Sequence, residues 1–206
     1  MKHVIVYGKG PTKEIMIEIA KKMKKKPVLV MIGNSGLKVE ELLSYEDVYD
    51  SKKAIINLDK CDRCGECLKA CQKGAISEDF KVNWDLCEGC PACYYSCPLG
   101  AIDFKIVKSG EIRVFISEGV PIVEYAYAPW INRYVFARHV RDIAKRLAAD
   151  ENTWIIEEGW HPMPWAFNIR VDGCDDPEAD LVLGNNCQPP SPKELDTVIR
   201  KLEVIL

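Results

Sequence analysis

Apolar residues near the start of the chain follow two rhythms. Val4 to Tyr7 is an unbroken apolar run closed by Gly8, and Val28 to Ile32 repeats the pattern after Pro27; both read as strands buried on both faces. Between them, Thr12 to Lys25 carries Ile15, Ile19 and Met23 four residues apart, one face of a helix that Pro27 ends. Further along, Ile112 to Ile116 reads as a strand, Asn132 to Ala149 as a helix, and Trp154 to Ile156 and Leu181 to Leu183 as strands. The last helix has the fullest signals: Ser191 as N-cap, Pro192 as first residue, Glu194 as capping-box partner, and a stripe of Leu195, Val198, Ile199 and Leu202. Strands alternating with amphipathic helices predict an α/β domain with a mostly parallel sheet flanked by helices.

The middle of the chain breaks this pattern with an internal repeat. At an offset of 26 residues, Asn57, Asp59, Cys61, Cys64, Cys67, Cys71, Gly74, Ala75 and Ile76 recur as Asn83, Asp85, Cys87, Cys90, Cys93, Cys97, Gly100, Ala101 and Ile102. Each unit reads as a short strand, a cysteine loop, one or two helical turns and a Gly-Ala-Ile return toward a strand. The two units predict a pseudo-twofold α+β domain over 54–107, inserted in a discontinuous α/β scaffold of 1–53 and 108–206.

Composition fits a globular chain, with 48% hydrophobic and 29% charged residues and a formal net charge of -3. An acidic balance argues against a general nucleic-acid partner. The opening apolar run is far too short for a signal-peptide core, and no run reaches the 18 or so residues of a membrane span, so a cytoplasmic protein without direct membrane insertion is expected. In that setting ten cysteines point to metal ahead of disulfides. Five lysines between Lys21 and Lys26 read as a solvated helix end complementing the helix dipole.

Two runs of CxxCxxCxxxC, Cys61-Cys64-Cys67-Cys71 and Cys87-Cys90-Cys93-Cys97, the second followed by Pro98, closely resemble bacterial two-cluster ferredoxins. The resemblance implies two 4Fe-4S clusters with a crossed fourth ligand: Cys61, Cys64, Cys67 and Cys97 on one, Cys71, Cys87, Cys90 and Cys93 on the other. Physically, a ligand at every third residue wraps three corners of a cube and leaves one iron to be reached from elsewhere. The departure from the family pattern is Gln72, where proline is usual. Zinc in two all-cysteine sites is the alternative use of eight thiolates, but a tetrahedron does not need steps of three, three and four. With eight ligands supplied, no iron is left open to substrate, so no catalytic residue is assigned and electron transfer is the expected chemistry. The clusters would make the chain more negative by roughly four charges.

The flanks resemble MinD/ParA-type P-loop ATPases, in the strand-to-loop opening Val4 to Lys13 and in Ala179 to Leu183 followed by Pro189, Pro190 and the Ser191 helix. The likeness implies a degenerate P-loop-like fold. After Gly8-Lys9-Gly10 come Pro11-Thr12-Lys13-Glu14, without a second glycine or a Lys-Ser or Lys-Thr pair. Pro11 removes a backbone N–H and Glu14 adds a repelling charge, which argues against bound nucleotide and ATP hydrolysis. Lys9 reads as a surface lysine.

The expected function is an electron-transfer protein or oxidoreductase subunit from an anaerobic setting, passing single low-potential electrons to or from a partner oxidoreductase. The alternatives are a MinD-like ATPase coupling nucleotide to electron delivery, and a redox-sensing or metal-cluster maturation factor. Outside the module, Cys174 and Cys187 read first as buried thiols, with a redox pair or further metal site as other uses. His161 reads as a loop histidine packed by aromatics. Trp154, Trp160, Trp165 and Phe167 read as core aromatics, or otherwise as a docking patch.

Overall fold

The computed structural model describes residues 2–49, 51–129, 133–184, 188 and 190–204. In chain order the elements are β1 (Lys2–Tyr7), α1 (Thr12–Lys22), β2 (Val28–Ile32), β3 (Glu41–Val48), β4 (Ser51–Ile56), α2 (Glu66–Ala70) and α3 (Ala92–Ser96). There follow β5 (Ile102–Val107), β6 (Gly110–Ser117), β7 (Val120–Tyr127), α4 (Arg133–Leu147), β8 (Trp154–Glu158), β9 (Phe167–Arg170), β10 (Leu181–Val182) and α5 (Pro192–Val204). The chain is α/β and divides into two compact units, one of 1–46, 112–126 and 134–206, the other of 47–111 and 127–133.

The larger unit is built on a mixed eight-stranded sheet in the order β10-β9-β1-β8-β2-β7-β6-β3. Its centre is parallel: β1 runs between β8, with Val4 opposite Ile156, and β9, with Val4 opposite Phe167. β2 runs parallel to β8 and β7. Strands covered on both faces must be apolar throughout, which is why Val4 to Tyr7 and Val28 to Met31 are all buried. Against one face lie Ile15, Met16 and Ile19 of α1 and Leu195 and Ile199 of α5, packed with Val4, Val6, Leu29, Met31 and Ile156. Ile19 is fully buried, so truncation to alanine would cost about 3 kcal/mol.

Helix α1 stops at Lys22, three residues before the expected Lys25, and Met23 turns extended while its N–H still reaches the Ile19 carbonyl. The lysine run explains the stop. Lys26 Nζ donates to the last-turn carbonyls of Ala20 and Lys21, while Lys22 and Lys25 pair with Asp196 and Asp150. At α5 the Glu194 carboxylate accepts from the N–H and the hydroxyl of Ser191 at 2.7 Å, which forms the glutamate half of the capping box, while the Ser191 hydroxyl points at that carboxylate and not at the Glu194 N–H. Leu195 and Ile199 are buried as the stripe predicts; the side chains of Val198 and Leu202 lie outside the described residues.

Three strands were not anticipated. β3 is exposed over nearly its whole length and so shows no apolar alternation. β9 is four residues long and contains Asn168. β7 follows β6 through a two-residue turn in which Glu118 and Gly119 both have positive φ, the backbone of a tight antiparallel hairpin. Among the described residues no helix is long and apolar enough to cross a membrane.

Candidate metal centre

The smaller unit contains the repeat. β4 and β5 form a two-stranded antiparallel sheet with Ser51 opposite Val107 and Ile56 opposite Ile102. The repeats then exchange partners. Asn57 N–H, at the start of the first, donates to Ala101 O at the end of the second (2.8 Å), and Asn83 N–H, at the start of the second, donates to Ala75 O (2.7 Å). Asn57 Oδ1 accepts from Asp59 N–H, and Asn83 Oδ1 from Asp85 N–H, both at 3.0 Å, so each cysteine loop opens with the same Asx turn.

The cysteines match pair by pair. Cys61 and Cys87 are half-buried at the loop starts, Cys64 and Cys90 exposed, Cys67 and Cys93 buried on the short helices α2 and α3, and Cys71 and Cys97 half-buried at the helix ends. Gly74 and Gly100, three residues past each fourth cysteine, have φ of 59° and 60°, which turns the chain so that the next N–H faces back. As a result Ala75 N–H donates to Cys71 Sγ and Ala101 N–H to Cys97 Sγ, both at 3.3 Å.

One cavity is lined by Cys71, Cys87, Cys90 and Cys93, with Lys73, Glu88, Ala54, Ala75, Ile76 and Val82. Three of these cysteines belong to the second run and Cys71 to the first. Burial pushes the Cys93 thiol up, and Cys87, Cys90 and Cys71 beside it add to the effect. Burial likewise raises the Cys67 thiol, helped by Cys61 and Cys64. Cys61, Cys67, Cys71, Cys87, Cys93 and Cys97 all belong to one apolar cluster built on Ala54, Ile76, Phe80 and Ile102, which both repeats share.

Among the described residues no three His, Cys, Asp or Glu side chains converge closely enough for a single ion.

Two features of the second loop were invisible to spacing. Gly89 has φ of 70°, and a Cβ there would run into the Lys52 carbonyl oxygen, so the loop is pressed against β4 at a point only glycine permits. Lys53 is buried and donates from Nζ to the carbonyls of Trp84 (2.9 Å) and Cys87 (2.5 Å).

At the carboxyl ends of the parallel strands, the Gly8-Lys9-Gly10 loop faces a carboxylate of its own chain. Lys9 N–H donates to Asp172 Oδ2 at 2.9 Å, and a Cβ on Gly8 would come within 3.0 Å of the same oxygen. Hydrogen bonds from Arg170 hold Asp172 at about 2 against burial, with the Lys9 and Cys174 N–H groups helping. Glu158 accepts from Thr12 Oγ1 at 2.6 Å and from Ile32 N–H at 2.8 Å.

The remaining singled-out residues scatter. Trp154 is buried and Phe167 half-buried, whereas Trp160 and Trp165 are exposed, so the aromatics do not form one core cluster. His161 is exposed, its Nδ1 2.9 Å from the Pro162 carbonyl, and is not packed in as expected. Cys174 is half-buried and disulfide-bonded, so it is not a free buried thiol; Cys187 lies outside the described residues.

Among known families, the 4Fe-4S binding domain matches residues 54–77, which hold the first cysteine run. The chain therefore carries a ferredoxin-type 4Fe-4S binding segment. No curated protein and no solved structure matches it.

Proposed function

We propose that this chain carries electrons one at a time through two 4Fe-4S clusters, to or from a partner oxidoreductase in an anaerobic cytoplasm. Cys61, Cys64, Cys67 and Cys97 hold one cluster, and Cys71, Cys87, Cys90 and Cys93 the other. The observation that carries this reading is the single cavity lined by Cys71 together with Cys87, Cys90 and Cys93. A bound 4Fe-4S cluster supplies a one-electron couple. The protein's part is to fix eight thiolates and to disperse charge. The N–H groups of Ala75 and Ala101 point at the Cys71 and Cys97 sulfurs, where they would help to disperse ligand charge.

The α/β unit then acts as a scaffold and not as an ATPase. Support comes from Asp172, whose carboxylate takes the Lys9 N–H that a phosphate would need, and from Pro11, which has none to offer. The test is reductive titration of anaerobically purified protein. Reversible uptake of two electrons per chain is expected, and uptake of one or none would overturn the reading. Submicromolar, magnesium-dependent ATP binding would overturn the scaffold assignment.

A further inference from the structure

The two repeats agree in fold, cysteine burial and sulfur hydrogen bonding, so any difference between their clusters must come from what surrounds them. Most charges nearby are exposed, among them Glu66, Lys69, Lys73 and Glu88, and water and salt screen these strongly. Asp59 and Asp85 sit at equivalent places and do not distinguish the repeats. Lys53 is different: it is the only buried lysine or arginine among the described residues. Its Nζ is fixed on the carbonyls of Trp84 and Cys87, inside the loop that begins the second cysteine run. Four residues before the repeated asparagine, the matching position in the other repeat is Asp79, which is exposed and paired with Lys81. The repeats also differ at Arg63 against Gly89 and at Gln72 against Pro98, but Arg63 is exposed, and the buried cation is Lys53 under the second loop.

We infer that Lys53 makes the two clusters inequivalent, holding the cluster of Cys71, Cys87, Cys90 and Cys93 at the higher reduction potential. This rests on the two-cluster reading above. A cluster gains one negative charge on reduction, and a fixed cation behind its ligand loop favours the reduced form. Because Lys53 is shielded from solvent, its field is weakly screened. The consequence is direction: an electron entering at the other cluster runs downhill to this one. Lys53 is a positioning residue as well, since its two hydrogen bonds hold the same loop that Gly89 presses against Lys52.

The experiment is a redox titration of anaerobically purified protein, followed by low-temperature EPR, on wild type, Lys53→Gln and Lys53→Arg, with iron counted in each. Two one-electron steps are expected in wild type. Lys53→Gln, which keeps a donor but loses the charge, should move only the upper step down. The expected change is about tenfold in the reduced-to-oxidised ratio at fixed potential, or about 59 mV for one electron. Lys53→Arg should leave both steps in place. Eight iron with both steps unmoved in Lys53→Gln would overturn the inference while leaving two clusters standing, whereas fewer than eight iron in wild type would overturn the two-cluster reading itself. If Lys53→Gln loses iron, serine exchanges in the otherwise native chain decide: Cys90→Ser should shift the upper step and Cys64→Ser the lower. The opposite assignment would overturn the inference.

Discussion

The backbone N–H of Asn57 donates to the carbonyl of Ala101 at 2.8 Å, tying the beginning of the first repeat to the end of the second. The mirror-image bond from Asn83 to Ala75 closes the exchange at 2.7 Å. Ala75 and Ala101 each follow a fourth cysteine by four residues, and Cys71 shares its cavity with Cys87, Cys90 and Cys93 of the other repeat.

Crossed ligation is tested by comparing three alanine variants. Cys97→Ala should damage the cluster of Cys61, Cys64 and Cys67, and therefore leave the same surviving EPR signal and potential as Cys64→Ala. If Cys97→Ala matches Cys90→Ala instead, each run closes its own cluster.

Gly89 and Gly100 both have positive φ, but they differ in what an added methyl would meet: at Gly89 it would strike the Lys52 carbonyl oxygen, whereas Gly100 faces open space. Gly100→Ala should cost only the left-handed strain, about 1–2 kcal/mol, with all iron retained. Gly89→Ala adds a backbone clash, and should lose about 3 kcal/mol or release iron from the second loop. Anaerobic denaturation midpoints and iron content measure both; equal effects would show that the loop does not press on β4.

The folded-state pKa of Asp172 lies at about 2, below its ordinary 3.8, chiefly through Arg170. A depressed carboxylate stabilises the fold above its unfolded pKa and loses that contribution as pH falls through the folded value. Asp172→Asn should therefore cost about 2 kcal/mol at pH 7, a difference from wild type that holds down to about pH 5 and shrinks between pH 4 and 2. Urea midpoints of the two proteins across pH provide the check, and a difference that grows in acid would contradict it.

Cys174 is disulfide-bonded and not among the eight free cysteines of the repeats. Cys174→Ser should leave iron content and visible absorption unchanged. Loss of iron would reveal a ligand outside the two runs.

Much of this was legible in the sequence where one physical demand dominates. Doubly covered parallel strands must be apolar, so Val4 to Tyr7 and Val28 to Ile32 announced themselves, and the Ser191 and Glu194 cap did the same for α5. The spacing of the first cysteine run announced the 4Fe-4S binding segment over 54–77, because ligand geometry fixes that spacing. What stayed hidden depends on partners remote in sequence. β3 and β9 are strands through pairing and not through pattern, and the end of α1 was moved by Lys26 reaching back to its carbonyls. Lys53 looks like any strand lysine until the Trp84 and Cys87 carbonyls, more than thirty residues away, close over it. The Asp172 carboxylate under the Lys9 loop is likewise a matter of tertiary placement, 163 residues distant.

The most direct test of the central claim is the metal content of anaerobically purified protein. About eight iron and eight acid-labile sulfide per chain are expected, from two cubanes of four iron and four sulfide. Four iron per chain, or zinc in place of iron, would contradict it.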